Sequence, residues 1–344
     1  MPTLHGDRPR FKAGLREIAP GVHAWMQPNG SWGESNSALV TGDGESLLVD
    51  TLWTPTLTRN MLDAMAPITA DAPIARLVNT HADGDHTWGN RLMRDVQIVA
   101  TRTAKEEMSH VTPGSLGAFR RLGHAMGLIG GIPVPFLGRG TLRAAGTYFT
   151  QMLAPFDFSD VEIVPPGRTF SGTLDLDAGG RVVTLIEVGP AHTGGDLIVH
   201  VPDASVVIAA DVMFNGIVPV MWAGPAERWI AALERIEALA PQVILPGHGP
   251  VCGLAEVRQL RDYWAWLDAA ARRRHSDGVS AGDATRDILG SDEHARKPWA
   301  GWDNPERTVI NVATIYRHLD GKGAEPLGVP GRIRLFAQAA QLAA

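Results

Sequence analysis

Cysteine is nearly absent from this chain: Cys252 is the only one among 344 residues. No intrachain disulfide can form, and no thiolate-rich metal site is available. The sequence also lacks any run approaching the roughly 18 continuous apolar residues of a membrane span. Residues 1–14 are polar, without the apolar core of a signal peptide, so a cytoplasmic protein with no membrane partner is the expectation. Positive charge is not in surplus either. With 31 Lys and Arg against 37 Asp and Glu, the formal charge is -6, which gives no electrostatic reason to expect nucleic acid as a partner. The one dense basic run, Arg272 to His275, closes a helix pattern, where it compensates the helix dipole. No repeat of short fixed period is present. What remains is 44% hydrophobic and 20% charged residues, the composition of a globular enzyme with a substantial core.

The chain reads as mixed α/β. Asn36 to Thr41 and Glu45 to Asp50 flank the turn Gly42-Asp43-Gly44 as a hairpin. Residues 53–66 have helical spacing, Ile74 to Val78 reads as a buried strand, and Val96 to Ala100 as another. About 104–155 holds helical pieces broken by Pro and Gly and rich in apolar and aromatic residues. It reads as a helical layer over the sheet or as a lid over the active site. Strands are predicted at Val161–Val164, Gly172–Leu176, Arg181–Val188, Asp196–Val201 and Val206–Ala209. A helix over 225–239 and a short strand, Val243–Leu245, follow. Beyond about Leu254 the chain is helical, with stripes at Leu260, Tyr263, Trp264 and Leu267 and again across Arg307 to Leu319, separated by a polar stretch from His275 to Asn304.

Between the strand ending at Val78 and Asn90, four metal-ligating side chains fall within six residues: His81, Asp83, Asp85 and His86. A lone histidine after a strand is usually a hydrogen-bonded core residue, but two imidazoles and two carboxylates crowded at a strand end repel one another without a cation. Gly84 is expected to let the backbone turn tightly between them. Further on, His192 lies in the loop Gly189 to Asp196, Asp211 is expected at a strand end, and His248 sits on the turn Pro246 to Pro250. Asp211 in an otherwise apolar strand is costly unless paired or metal-bound. Asp50 reads either as an acceptor behind the cluster or as a strand-end turn residue.

In their order along the chain, these motifs resemble the metallo-β-lactamase superfamily. The matching pieces are Thr80 to His86, Gly189 to Asp196, Ala210-Asp211 and Pro246 to Gly249, with Leu48-Val49-Asp50 in support. The resemblance implies a four-layer αββα sandwich of two mixed β-sheets with outer helices, over residues 1–255 with the insert at about 104–155. Residues 256–344 then form a helical C-terminal extension packed on that domain, beside the insert or at a contact with a second copy in a homodimer. It also implies two divalent metal ions along one sheet edge. His81, Asp83 and His192 would hold the first, Asp85, His86 and His248 the second, and Asp211 would bridge them. Asp85 would also orient the metal-bound water or take its proton.

Asp83 departs from the usual histidine. Zinc is the expected ion, but a carboxylate hardens the first site, so iron or manganese is also admitted. Two cations generate hydroxide near neutral pH and polarise a carbonyl or phosphoryl oxygen. The expected activity is therefore hydrolysis of an ester, lactone, amide or related bond. Trp32, Trp53 and Trp88, near the expected mouth, point to a small, fairly apolar substrate and read as pocket wall or core. A di-iron oxidoreductase is the second reading, raised by Asp83, and a non-catalytic metal-binding protein the third.

Overall fold

A computed structural model describes residues 8–110, 112–114, 116, 117, 123, 141–323, 325 and 327–343. The first sheet contains β1 (Gly14–Ala19), β2 (Val22–Met26), β3 (Ser37–Thr41), β4 (Ser46–Val49), β5 (Ile74–Val78), β6 (Gln97–Thr101) and β7 (Arg168–Phe170), side by side in that order. Its pairs are antiparallel as far as β4 and parallel from there to β7. The second contains β8 (Thr173–Ala178), β9 (Arg181–Glu187), β10 (Leu197–Val201), β11 (Val206–Phe214) and β12 (Val243–His248), in the order β12-β11-β10-β9-β8 with only β11 and β12 parallel. The helices used below are α1 (Pro55–Thr69), α2 (Gly84–Thr87), α3 (Arg102–Glu107), α4 (Thr141–Leu153), α5 (Ala226–Leu239), α6 (Leu254–Ser276), α7 (Ala281–Leu289), α8 (Asp292–Ala295), α9 (Thr308–Leu319) and α10 (Val329–Ala343).

Side chains alternate across a strand with period two, and that alternation builds the layers. Ala38, Val40, Leu47, Val49, Val78 and Val99 face Leu185, Leu197, Val199, Ile208 and Leu245 in the core between the sheets. The residues between them, Leu39, Leu48, Leu77 and Ile98, face the other way and meet Met61 and Met65 of α1. On the second sheet Ile198, Val207, Ala209 and Ile244 turn outward onto Trp229, Leu233 and Ile236 of α5 and onto the α6 stripe Leu260, Tyr263, Trp264 and Leu267. Each such aliphatic side chain, fully buried, contributes about 1.5–3 kcal/mol. Helix, sheet, sheet, helix is the expected αββα arrangement. Val309, Ile310, Val312 and Ile315 of α9 are likewise buried within the chain.

Most predicted elements recur within a residue or two, but several expectations change. Val161–Val164 is not a strand: Pro165 and Pro166 follow it, and the Val164 carbonyl accepts a side-chain hydrogen bond from Asn90 instead of a ladder bond. The polar stretch from His275 to Asn304 contains α7 and α8, started by Ser280 and Ser291, whose hydroxyls accept from the backbone N–H of Asp283 and His294. β11 and β12 both run further than expected, so Asp211 lies inside a strand and His248 is itself a strand residue. Much of the region expected as a layer or lid, including Phe119, Met126, Leu128, Ile129 and Phe136, lies outside the described residues. Of the described part, Phe149, Met152 and Leu153 of α4 pack with Ala340 of α10.

Candidate metal centre and its cavity

The stretch that holds His81 to His86 leaves β5 and is closed on itself by an amide pair. Asn79 and Asn90, at its two ends, donate to each other's side-chain carbonyls at 3.2 and 2.8 Å, and both are fully buried. Thr51 fixes the same loop through two hydrogen bonds to the His86 carbonyl. Gly84 has ordinary negative-φ backbone, so it is not there for the turn. A Cβ at that position would stand 2.5 Å from the Trp88 ring, and the glycine lets that indole pack against the motif.

His192 is presented by the loop after β9, which wraps around a single buried carboxylate. Asp196 accepts from the N–H groups of Ala191 and Thr193 and from the Thr193 hydroxyl at 2.6 Å. Asp211 reaches the cluster because β11 is irregular: its register against β12 shifts on either side of Ala210, which has φ of 45°. An extra residue in one strand re-aims the side chains beyond it. Gly247 on β12 leaves room for the result, since a Cβ there would lie 1.9 Å from Asp211 Oδ1. His248 is held by the clamp of Asn36, whose amide donates to the Pro246 and Gly249 carbonyls at 2.9 Å each.

All seven side chains expected at the cluster are brought together. Donor atoms of His81, Asp83 and His192 lie within 4.8 Å of one another, as do those of Asp85, His86 and His248. Asp211 stands between the two groups. Its oxygens are 3.1 Å from His86 Nε2, 3.4 Å from His192 Nε2, 3.4 Å from His248 Nε2 and 3.9 Å from His81 Nε2. The four imidazoles are all oriented alike. Each Nδ1 faces an acceptor: Thr80 Oγ1 for His81, Asp50 for His86, the Val220 carbonyl for His192 and the Gly30 carbonyl for His248. An imidazole that donates through Nδ1 presents its Nε2 lone pair.

Asp50, the alternative left open by the sequence, is an acceptor behind the cluster. It takes hydrogen bonds from the Thr80 N–H, the Thr80 hydroxyl and His86 Nδ1, the last at 2.9 Å. Its atoms also lie within 4.8 Å of donors on His81 and His86, but its oxygens are already committed to those three hydrogen bonds.

The electrostatics follow from crowding charge inside the protein. Burial alone would raise the carboxyl pKa values, yet the surrounding imidazoles overcome it and hold Asp83, Asp85 and Asp211 below the usual range. Burial alone would likewise lower the imidazoles. The carboxylates reverse it for His86 and His248, and for His192 push the pKa up to about 10. His81, for which burial and the neighbouring His86 dominate, falls to about 4. The carboxylates thus demand positive charge among the rings. His81 Nε2, His86 Nε2 and Asp211 Oδ1 are buried without any hydrogen-bond partner, and an orphaned polar atom of that kind is costly. A cation coordinated there satisfies all three, so the residues fit divalent metal ions.

A family model for the metallo-beta-lactamase superfamily matches residues 30–248, the span from the glycine that receives His248 Nδ1 to His248 itself. The chain belongs to the metallo-beta-lactamase superfamily. Among characterised relatives, the linear primary-alkylsulfatase of Pseudomonas sp. (strain ATCC 19151) is 26% identical over 257 residues, covering 68% of this chain and 46% of that protein. The inverting sec-alkylsulfatase Pisa1 from Pseudomonas sp. superposes with a TM-score of 0.66 at 18% identity, over 89% of this chain and 50% of that one. The metallo-beta-lactamase from Pontibacter korlensis gives 0.52 at 14% identity, over 74% of this chain and 99% of the other. This metallo-beta-lactamase-fold chain therefore spans about half the length of the alkylsulfatases it matches.

Beside the cluster lies a cavity of about 340 Å³. Asp83, Asp85, Asp211, His192 and His248 border it on one side. The rest is mostly apolar: Trp32, Trp53 and Trp88, all three singled out in the sequence, with Leu116, Phe149, Met152, Val220, Trp222 and Phe336. Trp53 and Trp88 are also core, packing edge-on to Phe158. Two arginines that the sequence did not flag line the same cavity. Arg307 stacks on Trp32 at 4.3 Å and Arg332 on Trp222 at 4.7 Å. Both come from the helical region beyond the family match, and no spacing relates them to the ligand motifs. Among the described residues, no helix is long and apolar enough to cross a membrane.

Proposed function

We propose that the protein is a metal-dependent hydrolase whose substrate is the sulfate ester of a small apolar alcohol. The observation that carries this reading is one of placement: two unpartnered imidazole nitrogens and an unpartnered carboxylate oxygen belong to the donor cluster that borders an apolar, aromatic-walled cavity. The alkylsulfatase relatives favour a sulfate ester over a lactam or carboxylic ester. His81, Asp83 and His192 would hold one divalent ion and Asp85, His86 and His248 the other, with Asp211 between them. Zinc suits the imidazoles, while the Asp83 carboxylate also suits iron or manganese. When bound, such a pair makes water nucleophilic near neutral pH and stabilises negative charge on the ester.

The chain's own residues do the rest. The apolar wall takes the alkyl group and excludes bulk water from the reacting end. Asp85 borders the cavity and lies 3.5 Å from His248 Nε2, placed to accept the proton of the attacking water. Water is added across the ester, releasing the alcohol and hydrogen sulfate. The test is elemental analysis of the protein as purified, with sulfate release measured by ion chromatography from alkyl sulfates of graded chain length before and after chelation. Metal-dependent sulfate release is expected, and Asp211→Ala should lose metal and turnover together. Turnover of carboxylic esters alone by the metal-replete protein would overturn the sulfate assignment, and oxygen uptake with a reductant in place of hydrolysis would overturn the reaction class.

A further inference from the structure

Arg307 is 1% exposed, yet it has no carboxylate partner within ion-pair distance among the described residues. Only one of its guanidinium nitrogens is engaged: Nη1 makes a long contact of 3.5 Å to the Val218 carbonyl. Nε and Nη2 are buried without any hydrogen-bond partner. Those two atoms form one edge of the guanidinium, two parallel N–H groups that match two oxygens of an oxyanion. The neighbouring carboxylate, Glu306, does not fill the gap: it makes no ion pair with Arg307, whose Nε and Nη2 stay unpartnered, and its Oε1 accepts from the Tyr148 hydroxyl at 3.0 Å and from Asn304. Tyr148 in turn accepts from Trp32 Nε1 at 2.8 Å. The chain Trp32–Tyr148–Glu306 therefore holds the indole over which the Arg307 guanidinium lies, 4.3 Å from the ring centroid. A buried cation at a cavity wall with its donor edge unpaired is expensive unless a ligand completes it.

We infer that Arg307 is the seat for an anionic group of the substrate, and that the protein selects molecules carrying a planar-accessible pair of oxyanion oxygens next to an apolar chain. This rests on the reading of the cavity as a hydrolase's substrate site, and deepens it by naming what the substrate must carry. Two sources supply that chemistry: the sulfate head of the ester itself, or a carboxylate on its alcohol part. Charge-assisted hydrogen bonds to a buried guanidinium are strong, so losing the fork should weaken binding on the order of ten- to a hundredfold.

Binding of octyl sulfonate, octanoate and octanol, none of which carries a cleavable ester, to the protein as purified is followed by tryptophan fluorescence and calorimetry, for wild type, Arg307→Gln and Arg307→Lys. The expected result is that Arg307→Gln loses affinity for an anionic probe at least tenfold while octanol binding is unchanged. Arg307→Lys, which keeps the charge without the fork, should recover only part of it. Loss confined to sulfonate assigns the seat to a sulfate head, and loss confined to octanoate assigns it to a carboxylate. Thermal melting checks that each variant is folded; if Arg307→Gln does not fold, Arg307→Lys carries the test alone. Equal affinity for the anions in wild type and variants overturns the assignment even where sulfate esters are turned over. Conversely, Arg307-dependent sulfonate binding without sulfate release overturns the proposed reaction and leaves the seat standing.

Discussion

Asp50→Asn is the perturbation that separates a ligand from the group that aims it. Asp50 would not touch the metals; it is 1% exposed and accepts three hydrogen bonds, from the Thr80 N–H at 2.8 Å, the Thr80 hydroxyl at 2.6 Å and His86 Nδ1 at 2.9 Å. Asparagine has nearly the same shape, so packing is preserved. Its oxygen can still accept from the Thr80 N–H, which leaves the NH₂ group facing the Thr80 hydroxyl and His86 Nδ1. Two donors then confront each other, and the imidazole relieves the clash by moving its proton from Nδ1 to Nε2. Nε2 is the atom 3.1 Å from Asp211 and turned toward the cluster, so the lone pair leaves the metal side. The Thr80 hydroxyl, which links Asp50 to His81 Nδ1 at 2.9 Å, loses its acceptor as well.

Replacing such outer partners typically costs about 10–100-fold in metal affinity, or roughly 1.4–2.8 kcal/mol at 25 °C. The loss should fall mainly on the ion held by His86, Asp85 and His248. Competition with a chromogenic chelator, read alongside elemental analysis, gives the two affinities separately, and thermal melting of the metal-free forms shows whether the fold survived. Asp50→Asn that binds both ions with wild-type affinity would falsify the tautomer argument. An equal loss at both ions together with a fall in the metal-free melting temperature would make Asp50 a structural residue only.

Three further outcomes follow from the same geometry. His192→Ala and His248→Ala should each lower the bound metal toward one ion per chain, because the two histidines belong to different donor groups; elemental analysis showing two ions in either variant contradicts the division. The carboxylates raise the proton affinity of His86, His192 and His248, so protons compete with metal and apparent affinity should rise with pH through neutrality, most clearly below the His192 value of about 10. A chelator titration at several pH values that gives constant affinity contradicts that sign. Gly84→Ala should destabilise the folded protein by about 1–3 kcal/mol, since its methyl would meet the Trp88 ring at 2.5 Å; an unchanged denaturant midpoint would show that the indole moves freely.

That these His and Asp side chains converge was legible because residue types able to hold a metal form a dense local signal. Four ligating residues stand between Asn79 and Asn90, and the other three each interrupt an apolar strand or a Gly-Pro turn, where polar side chains are costly without a partner. Strand alternation made the sandwich legible in the same way. Asp211 was found, but its position inside β11 was not, because a bulge at Ala210 is a property of strand pairing that no local pattern encodes. Gly84 shows the same limit from the other side. Its presence was noted for backbone freedom, whereas the constraint is a tertiary contact with Trp88. The cavity was legible only in part, since its three tryptophans lie near the ligand motifs while Arg307, Trp222 and Phe336 lie far from most of them in sequence.

That division has a physical consequence for how the site is built. The donor cluster comes entirely from residues 81–248, inside the family match, and its geometry is held by backbone carbonyls, Asp50 and Asp196, all within the sandwich. In the same cavity, Arg307, Arg332 and Phe336 come from the C-terminal helical region. These helices are not loosely appended. Asn311 of α9 donates to the Pro219 carbonyl and accepts from the Met221 N–H at 2.8 Å, Thr314 donates to the Met221 carbonyl, and the Trp222 N–H donates to the His192 carbonyl. A continuous set of hydrogen bonds therefore runs from α9 through residues 219–222 to the loop that presents His192. Substitutions in the C-terminal helices that alter substrate preference should leave metal affinity intact when they point into the cavity. Those that break the Asn311 or Thr314 bonds should disturb both, because the shared segment is the one on which His192 rests.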